Sequence, residues 1–418
     1  MKVLLLNVHS AQNLGDHGIM ITTLRGIRSV FPEAQFTIAA NHPQSWKRPN
    51  VLSGFDCVSV VGSLTSWVEE LHNGKWHGRP WRMLQYLALL SLAVLAYRWF
   101  ALRLMWGSVQ HRQLLTAYYE ADLVLGCGGG NLYAYRYLSP FFIWDLVALL
   151  FPLLLGKKVI LLPQSFGPIH GRLQRALARW TLNRAKAIMA REPWSFDFVT
   201  EDLKVGTAVY LVPDLAFELV CGDIGDISKH RIERIGVTVM DRGAQLRSFG
   251  GQSHYEDTIC TFLTRLAYER GAQIVLFCQC YGPSVDQDDR PATMRVYNRL
   301  REAGVQVALW GDLLTAEEAV DAYAGMDLMI GTRMHTAVFA ICSATPILLI
   351  SYQPKGCSVM GMCGLDRYCC DISRVNEEEL FCRASELLDH SACWKSFLSA
   401  RRDELRAQAL RWTTLLLP

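Results

Sequence analysis

The feature that most limits the folds open to this chain is a recurring unit: a short apolar run, a polar or glycine-bearing turn, then a helical pattern. Residues 3–8 form the first such run. Asn13-Leu14-Gly15-Asp16 follows it, and a helical pattern extends from residue 18 to residue 30. Apolar runs at 36–40, 122–125, 159–162, 187–189 and 209–212 repeat the unit. Strands that alternate with helices are joined by right-handed crossovers and lie parallel, which predicts an open, doubly wound sheet. Residues 221–230 then turn polar and lose any apolar period. The alternation restarts at 235–239, 274–277, 305–309, 328–330 and 347–350, with helical patterns at 255–270 and 315–325. A chain of 418 residues is too long for one typical core. The expected architecture is therefore α/β, with two Rossmann-like lobes facing a cleft, over residues 1–225 and 231–390. A charge-rich C-terminal helix, 391–418, is placed to pack back on the first lobe.

Lysine and arginine number 42 against 39 acidic residues, a net charge of +3, so no nucleic-acid partner is expected and any bound anion must be held locally. The N-terminal apolar run is too short for a secretory signal, which predicts a cytoplasmic protein whose 13 cysteines stay reduced. Cys278 and Cys280, and Cys357, Cys363, Cys369 and Cys370, lack the paired spacing of structural zinc sites, so no metal is expected. Residues 83–97 carry no charge and are flanked by Arg79, Arg82, Arg98 and Arg103. These 15 residues fall short of the ~20 that span a bilayer. They fit either a buried helix or an interfacial one whose arginines reach lipid phosphates. Within a hydrophobic insertion at about 70–110, residues 83–106 are thus the candidate contact with the inner face of the cell membrane.

Ligands of doubly wound sheets bind beyond the carboxyl ends of strands, and six segments lie there. Asn13, Gly15 and Asp16 can approach and hydrogen-bond a sugar, although Asp16 is equally placed to cap the next helix. Gly128, Gly129 and Gly130 form either an anion-binding nest or a tight turn. They match neither a dinucleotide fingerprint nor a Walker loop, so no NAD or ATP cofactor is expected. Gln164 and Ser165 offer donors and acceptors in a turn closed by Gly167-Pro168. Arg191 suits capture of a carboxylate or phosphate, or else pairs with Glu192 at the surface. Gly331-Thr332-Arg333-Met334-His335 brings a helix N-terminus, a guanidinium and an imidazole to one place, an anion site with a proton-transfer group. His335 could instead serve as a core histidine. Tyr352 and Lys355 follow the next strand, where Lys355 adds a second cation.

In this order the segments resemble the polysaccharide pyruvyl transferase family. The resemblance rests on Asn13-x-Gly15-Asp16, Asp122 with Gly128-Gly129-Gly130, Gln164-Ser165-Phe166-Gly167-Pro168, Arg191-Glu192 with Ser195, Pro213-Asp214, Gly331-Thr332-Arg333-Met334-His335 and Tyr352-x-x-Lys355. Asp288-Asp289-Arg290 and residues 331–365 look most like the branch that includes the colanic-acid pyruvyl transferase. The resemblance implies a glycosyltransferase-B-like pair of lobes, phosphoenolpyruvate as co-substrate without a further cofactor, and a lipid-linked sugar or polysaccharide repeat unit as acceptor. Carried over by position, Arg191, Thr332, Arg333 and Lys355 would bind the donor, and His335 would move protons. Asn13, Gly15, Asp16, the three glycines, Gln164 and Ser165 would face the acceptor. A nucleotide-sugar glycosyltransferase of the same architecture and a non-enzymatic sugar-binding subunit are the competing expectations.

Overall fold

A computed structural model describes residues 1–67, 79–135, 137, 139–221, 232–241, 251–284, 287–313 and 315–417. The polar stretch at 222–230, where the domain boundary was expected, and residues 70–78 of the insertion lie outside them. The described chain forms two compact α/β units.

The first unit is built on eight strands: β1 (Lys2–Val8), β2 (Gln35–Ala40), β3 (Val58–Gly62), β4 (Leu123–Gly126), β5 (Gly129–Ala134), β6 (Val159–Ile169), β7 (Ala187–Ala190) and β8 (Val209–Leu211). They pair in parallel in the order β3-β2-β1-β4-β6-β7-β8, with β5 alongside β6. Runs such as Val159–Leu162 are buried end to end, as a sheet covered on both faces requires. Two expectations are corrected here. Gln164 and Ser165 continue a strand instead of leaving it, because β5 lies beside them with Gly129 opposite Gln164 and Leu132 opposite Phe166. Gly129 and Gly130 likewise open β5 rather than sit in a turn, and Gly129 has φ of +133°, which favours glycine.

The second unit holds β9 (Arg234–Thr238), β10 (Gln273–Phe277), β11 (Val307–Leu309), β12 (Leu328–Gly331), β13 (Ile347–Ser351) and β14 (Cys369–Asp371). All pair in parallel in the order β11-β10-β9-β12-β13-β14, the doubly wound arrangement in which strand order reverses between β9 and β12. Two of its helices are capped by side chains: Thr315 and Glu318 form a capping box at Ala316–Ala324, and Asn376 caps Glu377–Asp389.

Two terminal segments cross the linear division at 225. Gln12–Thr22 belongs to the second unit, although Ala11 and Thr23 belong to the first. Ser391–Leu410 is helical and belongs to the second unit, whereas the residues from Arg411 return to the first, where Trp412 is fully buried against Gly26.

Candidate active site

The site is built where the second sheet reverses its strand order. Gly331, the last residue of β12, pairs with Thr238 at the end of β9. The chain then turns within two residues into the helix Met334–Cys342, with Arg333 as its N-cap in extended conformation. Gly331 permits the tightness, since a Cβ there would lie 2.5 Å from Thr336 Cγ2. A buried polar network ties three strand ends together. Thr336 Oγ1 lies 2.8 Å from Thr238 Oγ1 and donates to Gln279 Oε1 at 2.9 Å. Gln279 also accepts from the Tyr323 hydroxyl, and Thr332 Oγ1 lies 2.5 Å from the Tyr255 hydroxyl. In a low-dielectric interior such hydrogen bonds are strengthened and help fix geometry, although Gln279 Nε2 is buried without a partner among the described residues.

Arg333 and His335 are the half-buried residues in this otherwise buried turn. Arg333 grips Asp289 through two edges, Nε to Oδ2 at 2.8 Å and Nη2 to Oδ1 at 2.6 Å. Asp289 is fully buried and also accepts the Cys280 N–H at 2.9 Å. Burial pushes its carboxyl above the usual carboxylate range, and Arg333 opposes that shift. Burial likewise disfavours the Arg333 charge, but Asp289 overcomes it and keeps the guanidinium protonated. The pair leaves Arg333 Nη1 without a bond to any described residue, on a side chain 16% exposed.

The N-terminal motif arrives at the same place within the same unit. Leu14 N–H donates to Gln279 O at 3.1 Å, and Asn13 forms a β-bridge with Cys280. Asn13 Oδ1 accepts from Gly15 N–H, and the helix Leu14–Val30 starts there. Asn13 is thus the cap, and the expectation that Asp16 caps a helix beginning near Gly18 is corrected. The imidazole of His335 lies on the Gly15 backbone, where an added Cβ would stand 2.1 Å from Nδ1. Asp16 is close enough to raise the buried Cys280 thiol, after burial itself, while Arg333 pulls that thiol down. Asn13, Gly15, Asp16, Thr332, Arg333 and His335 therefore converge, together with Asp289 and Cys280.

Lys355 follows β13, the neighbour of β12, in the first turn of the helix Pro354–Met362, and is half-buried. Two residues on, the exposed Cys357 thiol is brought down to about 6 by a hydrogen bond from Cys369, with Ser351 assisting against partial burial.

Arg191, Gln164 and Ser165 lie in the first unit. Arg191 is 1% exposed, so the surface pair with Glu192 is corrected to a buried network. Its Nη1 meets Asp214 Oδ2 at 2.6 Å and its Nε donates to Ser165 Oγ at 2.8 Å. Ser195 Oγ donates to Glu192 and accepts from Phe166 N–H at 2.8 Å. Gln164 and Ser165 are themselves buried, as are Gly128 and Gly129. The residues missed as site members are Asp289, Gln279 and Tyr255. Asp289 stood in a quoted motif, but an acidic pair in sequence does not announce that one member will be buried against Arg333.

Two doubly wound α/β units define a class shared with several sugar-processing enzymes. The chain is similar in fold to a putative UDP-N-acetylglucosamine 2-epimerase from Listeria monocytogenes, at a TM-score of 0.57 and 13% identity over 95% of this chain and 90% of that one. It is similar to MnaA of S. aureus, solved with UDP, at 0.59 and 12% over 95% and 90%. It is also similar to Anabaena Alr3699/HepE, solved with UDP and glucose, at 0.54 and 13% over 100% and 98%. At such identities the likeness establishes the fold. Within that class, residues 13–354 match the polysaccharide pyruvyl transferase family, and the chain belongs to it. Among curated proteins it is 25% identical over 253 residues to the amylovoran biosynthesis protein AmsJ of Erwinia amylovora. That match spans 57% of this chain and 60% of AmsJ.

Proposed function

We propose that the protein transfers pyruvate from phosphoenolpyruvate onto two hydroxyls of a sugar, forming a ketal during exopolysaccharide or cell-surface polysaccharide biosynthesis, with a lipid-linked sugar or repeat unit as acceptor. One observation carries the reading: His335 is seated on Gly15 beside the Arg333–Asp289 pair, at the strand-order reversal of the second sheet. Family membership and a relative named for exopolysaccharide biosynthesis supply the substrate class.

The chemistry follows from those groups. The donor's C3 methylene takes a proton and becomes a methyl group while a sugar hydroxyl oxygen bonds to C2. The C2–O bond to phosphate then breaks, and a second sugar hydroxyl closes the ring on C2. Of the two hydroxyl protons lost, one balances the proton gained at C3 and the other leaves with inorganic phosphate. In this reading His335 carries the proton, and Arg333 Nη1 with Lys355 meets the anionic donor. Asp289 holds the guanidinium in orientation, so that little reorganisation accompanies binding. Asp16 takes hydrogen bonds from acceptor hydroxyls.

The test is product release from the whole enzyme supplied with a lipid-linked oligosaccharide fraction. Inorganic phosphate from phosphoenolpyruvate, with pyruvate appearing in the glycan, is expected. His335→Ala should lower turnover about 10²–10⁴-fold at saturating donor. Release of a nucleoside diphosphate from a nucleotide sugar, with phosphoenolpyruvate inert, would replace this reading with a glycosyltransferase.

A further inference from the structure

The apolar insertion is only partly buried, and 20 of its residues, Trp81–Phe100, are long and apolar enough to cross a bilayer by length and composition. It folds as the 22-residue helix Arg79–Phe100 in the first unit. One face packs into the core: Leu90 and Ala93 are buried, and Tyr86 meets the rings of Trp67 at 5.4 Å and His111 at 5.8 Å. The opposite face is also apolar but open. Trp81, Leu84, Ala88, Leu92, Leu95 and Trp99 follow one another at three- and four-residue steps, and all are exposed, Trp81 by 66% and Trp99 by 78%. Beyond the helix, Leu102 and Met105 continue the exposed apolar surface.

Charge identifies what this face meets. No acidic residue stands between Arg79 and Tyr119, while five arginines do or bound it: Arg79, Arg82, Arg98, Arg103 and Arg112. Arg82 and Arg98 are exposed near the two ends of the open face, each next to an exposed tryptophan. Arg103 is half exposed, with Glu120 at 3.6 Å. Aromatic residues and arginines at the ends of an apolar stripe match the boundary between headgroups and acyl chains. A second protein would have to offer a long apolar surface ringed by acids. An anionic bilayer offers both at once.

We propose that the face carrying Trp81, Leu92, Leu95 and Trp99 lies in the plane of an anionic phospholipid surface, with Arg82, Arg98 and Arg103 on lipid phosphates. The helix does not cross the bilayer, since its other face is core. This holds whatever the site transfers.

Flotation of the full-length protein with phosphatidylcholine vesicles, with and without phosphatidylglycerol, tests it. The protein should rise with the anionic vesicles and be released by salt. Replacing Arg82, Arg98 and Arg103 by Gln together should weaken anionic-vesicle binding about 100-fold. Leu95→Glu with Trp99→Glu should abolish flotation while leaving the melting temperature within a few degrees, because neither side chain is in the core. Absence of wild-type flotation would overturn the proposal. So would flotation that the Leu95/Trp99 variant retains, or a dimer in solution that the same variant dissociates without any lipid binding.

Discussion

At Gly15 the missing side chain is what lets the imidazole of His335 rest on the first helix. Gly15→Ala would place a methyl group within 2.1 Å of Nδ1, so the ring must swing away or the helix must shift. Overpacking of this kind costs about 1–3 kcal/mol of stability. Turnover should fall into the same range as for His335→Ala, read as kcat at saturating donor beside a melting curve. Wild-type turnover in Gly15→Ala would show that the imidazole acts from elsewhere. A second expectation concerns Cys357. Alkylation requires the thiolate, and this thiol is held down at about 6, so its rate of reaction with iodoacetamide should rise as pH climbs through about 6 and level off above it. Cys357→Ser should remove that phase. A labelling midpoint near the ordinary thiol value would mean that Cys369 does not donate to it. The sequence showed Gly15, Arg333 and His335 as candidates because each sits just past an apolar run. It could not show that Asp289 would be buried against Arg333, since that contact joins residues from different strand–helix turns.

Among the elements, β6 and the turns after β7 and β8 gather buried charge in the first unit. Arg191, Glu192 and Asp214 are each at most 1% exposed, and the arginine is also bonded to Ser165. Arg191 is the one cation among these described residues, and removing it strands two buried carboxylates. Arg191→Met should therefore cost about 3–5 kcal/mol of unfolding free energy, measured by urea denaturation. A loss below about 1 kcal/mol, the scale of an exposed pair, would mean that the network is solvated. The strands were legible because continuous apolar runs of three to six residues mark parallel strands buried on both faces. Their ends were not. The run at 159–162 continues to Ile169 through Gln164 and Ser165 because β5 pairs beside it, a non-local cause that local composition does not carry. The start of the first helix was misplaced by four residues for a local reason: Asn13 and Asp16 are both good caps, and only the bond from Gly15 N–H decides between them. The helix Arg79–Phe100 satisfies both sequence readings at once, core on one face and open on the other.

For the whole molecule, alternation of strand and helix was enough to foresee two α/β units, and the order of motifs was enough to foresee the family. What linear order hid is that Gln12–Thr22 leaves the first unit and completes the second, bringing Asn13, Gly15 and Asp16 to Arg333 and His335. The bond from Leu14 N–H to Gln279 O, and the closeness of Gly18 to Ala316, Leu219 and Phe339, mark that allegiance. The central claim is that this assembled turn grips a small, highly charged enol phosphate. Thermal denaturation with phosphoenolpyruvate, and separately with UDP-sugars, tests it most directly, because a ligand of the folded form raises its stability, by about 2.7 kcal/mol at a hundredfold excess over Kd. Phosphoenolpyruvate should raise the melting temperature of the wild-type protein. It should leave unchanged a variant in which Arg333→Gln and Asp289→Asn remove both charges together, so that neither is stranded. A rise with UDP-sugars alone, or an undiminished response to phosphoenolpyruvate in the double variant, would contradict the account.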